Sequence, residues 1–267
     1  MPSTRVNYDA IAELYDSSPH REKSPDPELS AFLAAHESTE ALALLDIAGG
    51  TGNQVIANRA IAPNARTVGV DGSLGMLRQG RRKAQDIAWV HGDSAALPFA
   101  TASFDFVSCQ YAFHHFGDKA AMLREAFRVL RAGGRLAVHN LSPDDMPDFI
   151  YYPYFPEAWD RDLADFWSPD ELVAGMLGAG FETVTATRQH IHFDRDLADF
   201  LHETRRRENN SQLLTLSDSV YEAGLRLIES QIANPNAPRT YPDHLCFLTV
   251  RGDKPLPSPD RDGGREP

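Results

Sequence analysis

The sequence predicts an α/β fold in which helices cover both faces of a doubly wound, mostly parallel sheet. Short apolar runs alternate with segments of helical periodicity from about residue 44 to residue 138. Three of these runs lead into a carboxylate, at Asp46, Asp71 and Asp93. A glycine turn, Gly49 to Gly52, follows the first run. Ligands of such sheets bind outside the carboxyl ends of the strands, so these residues predict a ligand site.

The composition predicts one folded domain over residues 1–253 and a disordered tail over residues 254–267. A chain of 267 residues can bury a sizeable core. The tail is rich in Pro, Asp and Gly, which bury too little apolar surface to fold. The first ten residues are polar, and no apolar run approaches the roughly 18 residues of a membrane span. We therefore expect a cytoplasmic protein with no membrane span.

The charge and the cysteines limit the partners. A formal net charge of −12 argues against nucleic acid, because proteins that bind it neutralise phosphates with basic surface. Cys109 and Cys246 fall inside predicted strands, where free thiols behave as small hydrophobes. Two isolated cysteines make no metal pattern, so no metal site is predicted. We expect a small-molecule ligand, a reducing compartment and a monomer or homodimer.

The first strand and its turn indicate the kind of ligand. The apolar run from Leu44 ends at the glycines, where backbone can approach a ligand and a helix N-terminus offers free N–H groups. The dinucleotide pattern G-x-G-x-x-G fits poorly, because Gly50 as its middle glycine leaves Ala48 and Asn53 at the outer positions. The pattern D-x-G-x-G-x-G fits with one change, Ala48, between Asp46 and Gly50.

At this stretch the chain resembles the class I S-adenosylmethionine (SAM) methyltransferases. The variant Asp-Ile-Ala-Gly-Gly-Thr-Gly is most similar to the ubiquinone/menaquinone C-methyltransferases, and the resemblance covers about residues 40 to 185. It implies SAM as cofactor, S-adenosyl-L-homocysteine (SAH) as product, and a Rossmann-like doubly wound sheet, mostly parallel with an antiparallel last strand. The carboxylate of Asp46 suits the cationic amino group of SAM and would repel a pyrophosphate.

The next two strands add carboxylates. Asp71 lies about twenty residues beyond the glycine turn, the spacing at which an acidic side chain reaches a ribose diol. Ser73 is a plausible N-cap for the following helix, and the resemblance implies that Met76 packs against the adenine. The run Gly92-Asp93-Ser94 to Phe99 matches the family signature G-D-x-x-x-L-P-F, which implies that Asp93 accepts from the adenine amino group. Taken alone, Asp93 is equally typical of a turn residue.

The predicted cofactor-binding residues are Tyr15, Asp46, Ala48, Gly49, Gly50, Gly52, Asn53, Asp71, Gly72, Ser73, Met76, Gly92, Asp93, Ser94 and Gln110.

The fourth strand, ending at Gln110, leads to two histidines. His114 and His115 are the candidates for a catalytic base or for orienting the acceptor, because they follow a strand at the predicted cofactor edge and His titrates near pH 7. A structural role for one of the pair is equally consistent. Methyl transfer is an in-line displacement, so alignment of the acceptor can suffice without a fixed base.

Three segments outside the β-α alternation are expected to enclose the site. Residues 1–40 form an N-terminal helical cover, which the resemblance places over the cofactor, although a tyrosine pair at helical spacing is also typical of core packing. Residues 142–168 read as an aromatic loop that either walls the substrate or packs as a lid on the sheet. Residues 194–232 read as a C-terminal helical insert before the last strand. The predicted substrate-lining residues are Tyr8, Tyr111, Tyr151, Tyr152, Tyr154, Trp159 and Trp167.

These observations predict a SAM-dependent methyltransferase that acts on an O, N or C atom of a small, largely apolar or aromatic metabolite. Two alternatives remain open: a SAM-fold protein that binds the cofactor without methyl transfer, of a pericyclase or binding type, and a regulatory or assembly protein that uses its acidic face. The ordered carboxylates Asp46, Asp71 and Asp93 favour an enzyme over a scaffold, because a scaffold does not need them.

Overall fold

The computed structural model describes residues 6–17, 21–36 and 42–257. Its strands are β1 (Ala43–Ile47), β2 (Arg66–Asp71), β3 (Ala88–His91), β4 (Phe104–Gln110), β5 (Leu130–Leu141), β6 (Glu182–Asp196) and β7 (Thr240–Asp253). Within the described residues they form a seven-stranded sheet of order β3-β2-β1-β4-β5-β7-β6. Pairing is parallel from β3 to β5, and β7 runs antiparallel to both β5 and β6. The predicted fold class is confirmed.

The strand order places the ligand crevice. β1 lies between β2 and β4, so the connections that leave β1 and β4 run to opposite sides of the sheet. The carboxyl ends of these two strands therefore flank a switch point, where such sheets bind ligands. All five residues of β1 are buried, in keeping with a central parallel strand covered on both faces.

The helices alternate with the strands and pack against the sheet. They are α1 (Tyr8–Ile11), α2 (Pro27–Ala34), α3 (Asn53–Ile61), α4 (Leu74–Lys83), α5 (Lys119–Val129), α6 (Tyr151–Tyr154), α7 (Pro156–Asp165), α8 (Pro169–Ala179), α9 (Leu197–Thr204), α10 (Ser211–Leu214) and α11 (Asp218–Ala233). Ser73 caps α4 as predicted, since its side chain accepts from the backbone N–H of Met76. Among the described residues no helix is both long and apolar enough to cross a membrane.

Two segments differ from their predicted form. Residues 142–168 are not a loop, because they contain α6 and α7, and Pro156 begins α7 at a position where its missing N–H costs nothing. The aromatics that hid the helical period pack into a second core with α9 and α11. The predicted tail begins too early: the backbone N–H of Lys254 donates to Gly134, and its ammonium donates to carbonyls at the end of α5. Residues 258–267 of that tail lie outside the described residues.

The C-terminal insert sits at the end of a long strand pair. β6 pairs with β7 along its whole length, from Glu182 to Asp196. β5 pairs with β7 only from Phe247 to Asp253. The distal part of β6 and β7 is therefore a two-stranded ribbon, and α9, α10 and α11 connect its ends. Cys109 and Cys246 are buried free thiols in β4 and β7, as expected. Of the N-terminal cover, residues 1–5, 18–20 and 37–40 lie outside the described residues.

Two helical glycines test how the insert packs on the aromatic segment. A Cβ on Gly224 of α11 would lie 2.1 Å from Cε1 of Phe155, a fully buried ring, whereas a Cβ on Gly178 of α8 would meet nothing within 4 Å. We expect Gly224→Ala to lower the free energy of unfolding by about 1–3 kcal/mol through overpacking. Gly178→Ala should raise it by roughly 0.5–1 kcal/mol. Urea denaturation measures both, and a stabilised Gly224→Ala variant would contradict the described packing.

Candidate active site

The glycine turn after β1 is shaped by strained backbone and by one indole ring. Ala48 adopts φ 57°, a left-handed conformation that costs a residue with a Cβ roughly 1–2 kcal/mol. Gly52 adopts φ 86° and begins α3 as its N-cap. A Cβ on Gly52 would lie 2.2 Å from the Trp89 ring. The backbone of the turn therefore requires glycine at position 52, because a side chain there would collide with the Trp89 ring.

Asp46 lies beneath the turn as a buried carboxylate. Its Oδ1 accepts a hydrogen bond from the Ser108 hydroxyl at 2.7 Å. Burial raises the pKa of Asp46 from its ordinary value of 3.8 to about 7, and the nearby carboxylates of Asp26 and Asp71 act in the same direction. A cation in the cavity would therefore lower the free-energy cost of ionising this carboxylate.

Asp71 is fixed at the end of β2 by two backbone donors. Its Oδ2 accepts from the N–H of Gly50 at 2.9 Å, and its Oδ1 accepts from the N–H of Ser73 at 2.8 Å. Burial raises the pKa of Asp71, and these two hydrogen bonds oppose that rise. The carboxylate therefore connects the glycine turn to the start of α4.

The N-terminal segment is held against the start of α3. Oδ1 of Asp16 accepts from the Thr51 hydroxyl at 2.7 Å and from the Asn53 amide at 2.9 Å. Its Oδ2 forms a salt bridge of 2.8 Å with Lys83. Asp9, closer to the N-terminus, accepts from the hydroxyl of Ser73. These contacts place the segment across the carboxyl edge of the sheet.

One contact separates two cavities at this edge. The glycine-turn cavity, of about 550 Å³, is lined by Asp46 and the turn, and the Asp71 cavity, of about 510 Å³, is lined by Asp71 and Ser73. Tyr8 and His115 line both cavities. The Tyr8 hydroxyl lies 2.6 Å from Nε2 of His115, so this pair forms the wall between them.

The two histidines are both largely buried and neutral near pH 7. Burial lowers the pKa of His115 to about 4 and moves the pKa of His114 well below its ordinary value. His114 stacks on Phe166 with ring centroids 4.0 Å apart. Nδ1 of His114 donates to Oδ1 of Asn140 at 3.1 Å, which leaves its Nε2 as an acceptor.

Two cations that the sequence did not reveal line the glycine-turn cavity. The guanidinium of Arg21 lies 4.0 Å from the centroid of the Tyr15 ring, and the ammonium of Lys23 lies 4.3 Å from that of Tyr111. Burial lowers the pKa of Lys23, while the charge of Asp46 raises it. Both cations lie in an irregular segment whose residues follow no periodic pattern, so no sequence signal marked them.

Most of the predicted cofactor-binding residues lie around these cavities. The glycine-turn cavity is lined by Tyr15, Asp46, Ala48, Gly49, Gly50, Gly52, Asn53 and Gln110, together with Tyr8, Tyr111, His114 and His115. The Asp71 cavity is lined by Asp71, Gly72 and Ser73, together with Tyr8, His114 and His115. Four predicted residues lie outside both linings: Met76, Gly92, Asp93 and Ser94. Met76 is buried in α4, and Oδ1 of Asp93 accepts from the backbone of Ala95.

The predicted aromatic wall is wrong for five residues. Tyr151, Tyr152 and Tyr154 are buried in the second core, where the Tyr152 hydroxyl donates to Asp162 at 3.0 Å. Trp159 packs on the Tyr152 ring at 4.6 Å, and Trp167 packs against Phe113 and α8. The three tyrosines and Trp159 turn away because α6 and α7 orient them toward the insert, whereas Trp167 follows α7 and packs on the main core. From the same segment, Phe149 and Phe166 reach the glycine-turn cavity.

The insert supplies cavity residues that sequence reasoning missed. Ser211 and Gln212 of α10 line both cavities, and Leu214 lines the glycine-turn cavity. Gln212 also hydrogen-bonds Asp162, whose pKa burial raises to about 7. Only the tertiary position of α10 brings these residues to the site, and no local pattern records it.

Comparison with known proteins places this site in a family. A family profile described as "Methyltransferase domain" matches residues 45–138. The demethylmenaquinone methyltransferase of Thermotoga maritima is 30% identical over 159 residues, covering 52% of this chain and 69% of that protein. That of Thermus thermophilus is 33% identical over 165 residues, covering 52% and 73%. The chain belongs to the class I SAM-dependent methyltransferases.

Solved structures share the fold of this methyltransferase at lower identity. The YcgJ protein of Bacillus subtilis aligns with a TM-score of 0.58 and 21% identity, covering 86% of this chain and 98% of that one. A phosphoethanolamine N-methyltransferase 2 of Haemonchus contortus, in complex with phosphomonomethylethanolamine and SAH, aligns with a TM-score of 0.54 and 19% identity, covering 87% and 54%. The cofactor of the methyltransferase is SAM, and its product is SAH.

The residues present suit this cofactor. SAM carries an ammonium group, and the buried carboxylate of Asp46 favours a cation on the cavity side. It carries a carboxylate, and Arg21 and Lys23 are cations on the same cavity. It carries a ribose diol, and Asp71 presents a fixed carboxylate beside the turn.

The buried carboxylate predicts a pH dependence of stability. Because folding raises the pKa of Asp46 from 3.8 to about 7, its contribution is fully present below about pH 4 and is lost as the pH rises through 7. We therefore expect ligand-free Asp46→Asn to unfold with a larger free energy than wild type at pH 8, by the order of 4 kcal/mol for about three pKa units, and with a similar one at pH 4. Denaturation at both pH values measures this.

The control for this experiment is Asp86→Asn, which alters an exposed carboxylate 3.5 Å from Arg59. It should change stability little at either pH, because exposed ion pairs contribute about 0–1 kcal/mol. Equal stabilities of wild type and Asp46→Asn at pH 8 would show that Asp46 carries no burial penalty.

Proposed function

We propose that this methyltransferase transfers a methyl group to an O, N or C atom of a small, largely apolar or aromatic acceptor bound in the glycine-turn cavity. The observation that carries the proposal is the composition of that cavity. Polar and charged groups cluster at the turn, while Leu141, Phe149, Phe166, Leu245 and Phe247 line the part formed by the central strands and the aromatic segment. Apolar walls with a few placed polar groups are typical of small-molecule sites.

The cofactor roles follow from charge. When bound, SAM would supply a methyl carbon on a sulfonium sulfur, so that the acceptor atom can bond to this carbon as the C–S bond breaks and SAH leaves. Asp46 holds the ammonium group, and Arg21 and Lys23 hold the carboxylate, so each charge meets its opposite inside a cavity of low dielectric. Asp71 accepts from the ribose hydroxyls. The resemblance assigns Asp93 and Met76 to the adenine, although neither residue lines either cavity.

Binding of the whole cofactor requires movement of Tyr8. Tyr8 and His115 line both the glycine-turn cavity and the Asp71 cavity, so a ligand that extends from one cavity into the other must pass their contact. Tyr8 belongs to α1, a helix of four residues with no buried side chain. Apart from the Tyr8–His115 contact and the hydrogen bonds of Asp9 and Asp16, few buried contacts hold it in place, so we expect local opening.

The histidines orient the acceptor. A pKa of about 4 makes His115 a weak base, too weak to hold a proton at pH 7. Its neutral ring can accept a hydrogen bond from a hydroxyl, as it is placed to do from Tyr8. His114, held by Asn140 and Phe166, stiffens the same corner. The chain therefore acts by alignment and exclusion of water, and the acceptor itself must be nucleophilic.

The relatives support this class of acceptor. Proteins named demethylmenaquinone methyltransferase share 30% and 33% identity with this chain, and a quinone ring is largely apolar. A panel of acceptors for assay therefore contains a quinol, a simple phenol, an aromatic amine and phosphoethanolamine.

The ribose assignment predicts the effect of Asp71. We expect Asp71→Ala to weaken SAH binding by about 1–3 kcal/mol, because buried hydroxyls lose their acceptor. Asp71→Asn keeps one acceptor oxygen and should weaken binding less. Calorimetric titration with SAH measures both, with Asp86→Ala as the exposed control. Unchanged affinity in both Asp71 variants contradicts the ribose assignment.

The acceptor assignment predicts a split between KM and kcat. Phe166→Ala should raise the KM of the preferred acceptor about tenfold, because roughly 1–2 kcal/mol of apolar contact is lost. His115→Ala should lower kcat with a smaller change in KM, because it removes alignment of the reacting atom. Formation of SAH measures turnover. Tyr154→Phe, a change in the second core, is the control and should leave both parameters unaltered.

Two results contradict the proposed acceptor. Turnover of phosphoethanolamine in preference to the quinol, phenol and aromatic amine would show a charged acceptor. SAH binding with no turnover of any class would favour the alternative of a cofactor-binding protein without transfer.

A further inference from the structure

Three histidines meet on the face of the β6–β7 ribbon that turns away from the glycine-turn cavity. His192 pairs with His244 across the two strands, and His190 pairs with Cys246. Residues two apart on a strand, and residues directly opposite, share one face of a sheet. Leu245 and Phe247 alternate with this set along β7 and line the cavity instead. The histidines are thus separate from the cofactor residues.

The imidazole nitrogens converge. Nδ1 of His190 lies 3.0 Å from Nε2 of His244, and the His192 and His244 rings stack with centroids 4.0 Å apart. One ligand nitrogen from each of the three lies within 4.8 Å of the others. A metal ion bound at about 2.0–2.1 Å holds its nitrogen ligands roughly 3–3.5 Å apart. The His190–His244 spacing already matches, and a side-chain rotation of His192 supplies the third ligand.

We propose that His190, His192 and His244 form a binding site for a divalent transition-metal ion of the Zn²⁺, Cu²⁺ or Ni²⁺ class. Imidazole is the ligand that these ions share, whereas Mg²⁺ and Ca²⁺ prefer oxygen. His190 and His192 are exposed, which leaves a path for the ion and an open coordination position for water. His244 is largely covered, so its ring is held in place by the strand pair.

The position of the site gives the ion a mechanical role. The residues of β7 that precede Phe247 pair with β6 alone, because the pairing of β7 with β5 ends at Phe247. A two-stranded ribbon is marginal on its own. An ion shared by residues of both strands cross-links the ribbon at the point where it leaves the sheet, next to Asp148 and the groove that His192 and His244 line.

Calorimetric titration with ZnCl₂ at pH 8 tests the site, on full-length protein without a histidine tag. We expect one saturable Zn²⁺ per chain and no binding of MgCl₂. Loss of outer-shell partners alone weakens metal sites about 10- to 100-fold, so loss of a ligand should weaken zinc binding by about 100-fold or more. This is expected of His190→Ala, His192→Ala and His244→Ala alike. His202→Ala, which removes an exposed histidine of α9, is the matched control and should bind as wild type.

Two further measurements keep the result decisive. SAH binding verifies that each variant is folded, and if His244→Ala fails to fold, His190→Gln and His192→Gln at the exposed positions carry the test. Electron paramagnetic resonance with CuCl₂ should show coupling to histidine nitrogens that disappears in the double variant His190→Gln, His192→Gln. Absence of saturable zinc binding, or equal affinity in wild type and the double variant, overturns the site.

Discussion

The buried carboxylate of Asp46 is the constraint around which the carboxyl edge of the sheet is arranged. It lies one residue before the end of the central strand β1, and its hydrogen bond from Ser108 ties it to β4 across the switch point. Burial makes the ionised form of this carboxylate costly, as its raised pKa records. The edge is therefore poised to gain free energy from a positively charged ligand. A neutral side chain here would make a more stable protein and a poorer binder.

The N-terminal segment brings cations to the cavity that Asp46 lines. Asp16 fixes it to Thr51, Asn53 and Lys83 at the start of α3. Further along, Asp26 is buried and accepts from Gln110 at 2.9 Å and from His139 at 3.0 Å. Arg21 and Lys23 lie between these two anchors in the sequence, and both line the glycine-turn cavity. Cationic side chains thus reach the cavity because two acidic residues hold the segment on either side.

The sequence predicts features that depend on local patterns, and it does not predict those that depend on contacts between residues far apart in the chain. Asp46, Asp71 and Asp93 were recognisable because each lies at or just beyond the carboxyl end of its own strand, and parallel strands bring their carboxyl ends to one edge. The destinations of Tyr151 and Tyr154 were not, because the Tyr151 ring packs on Phe200 of α9 and the Tyr154 hydroxyl donates to Gln231 of α11, both far along the chain. The approach of His244 to His190 depends on the register of β6 and β7, which no local pattern encodes.

Trp89 gives a second physical reason for glycine in the turn. Glycine in the turn was predicted to let backbone approach a ligand. The structure adds that a Cβ on Gly52, Gly69 or Gly80 would lie 2.2, 2.8 and 2.8 Å from the indole of Trp89. One ring thus occupies the space that glycines of the turn, of β2 and of α4 leave open, and its Nε1 donates to Ala84 at 2.8 Å. The Trp89 ring supports the turn without any ligand. The turn can therefore keep Ala48 in its strained conformation and the N–H of Gly50 directed at Asp71. Preorganisation of the proposed cofactor site therefore depends on Trp89, a side chain that does not line the glycine-turn cavity.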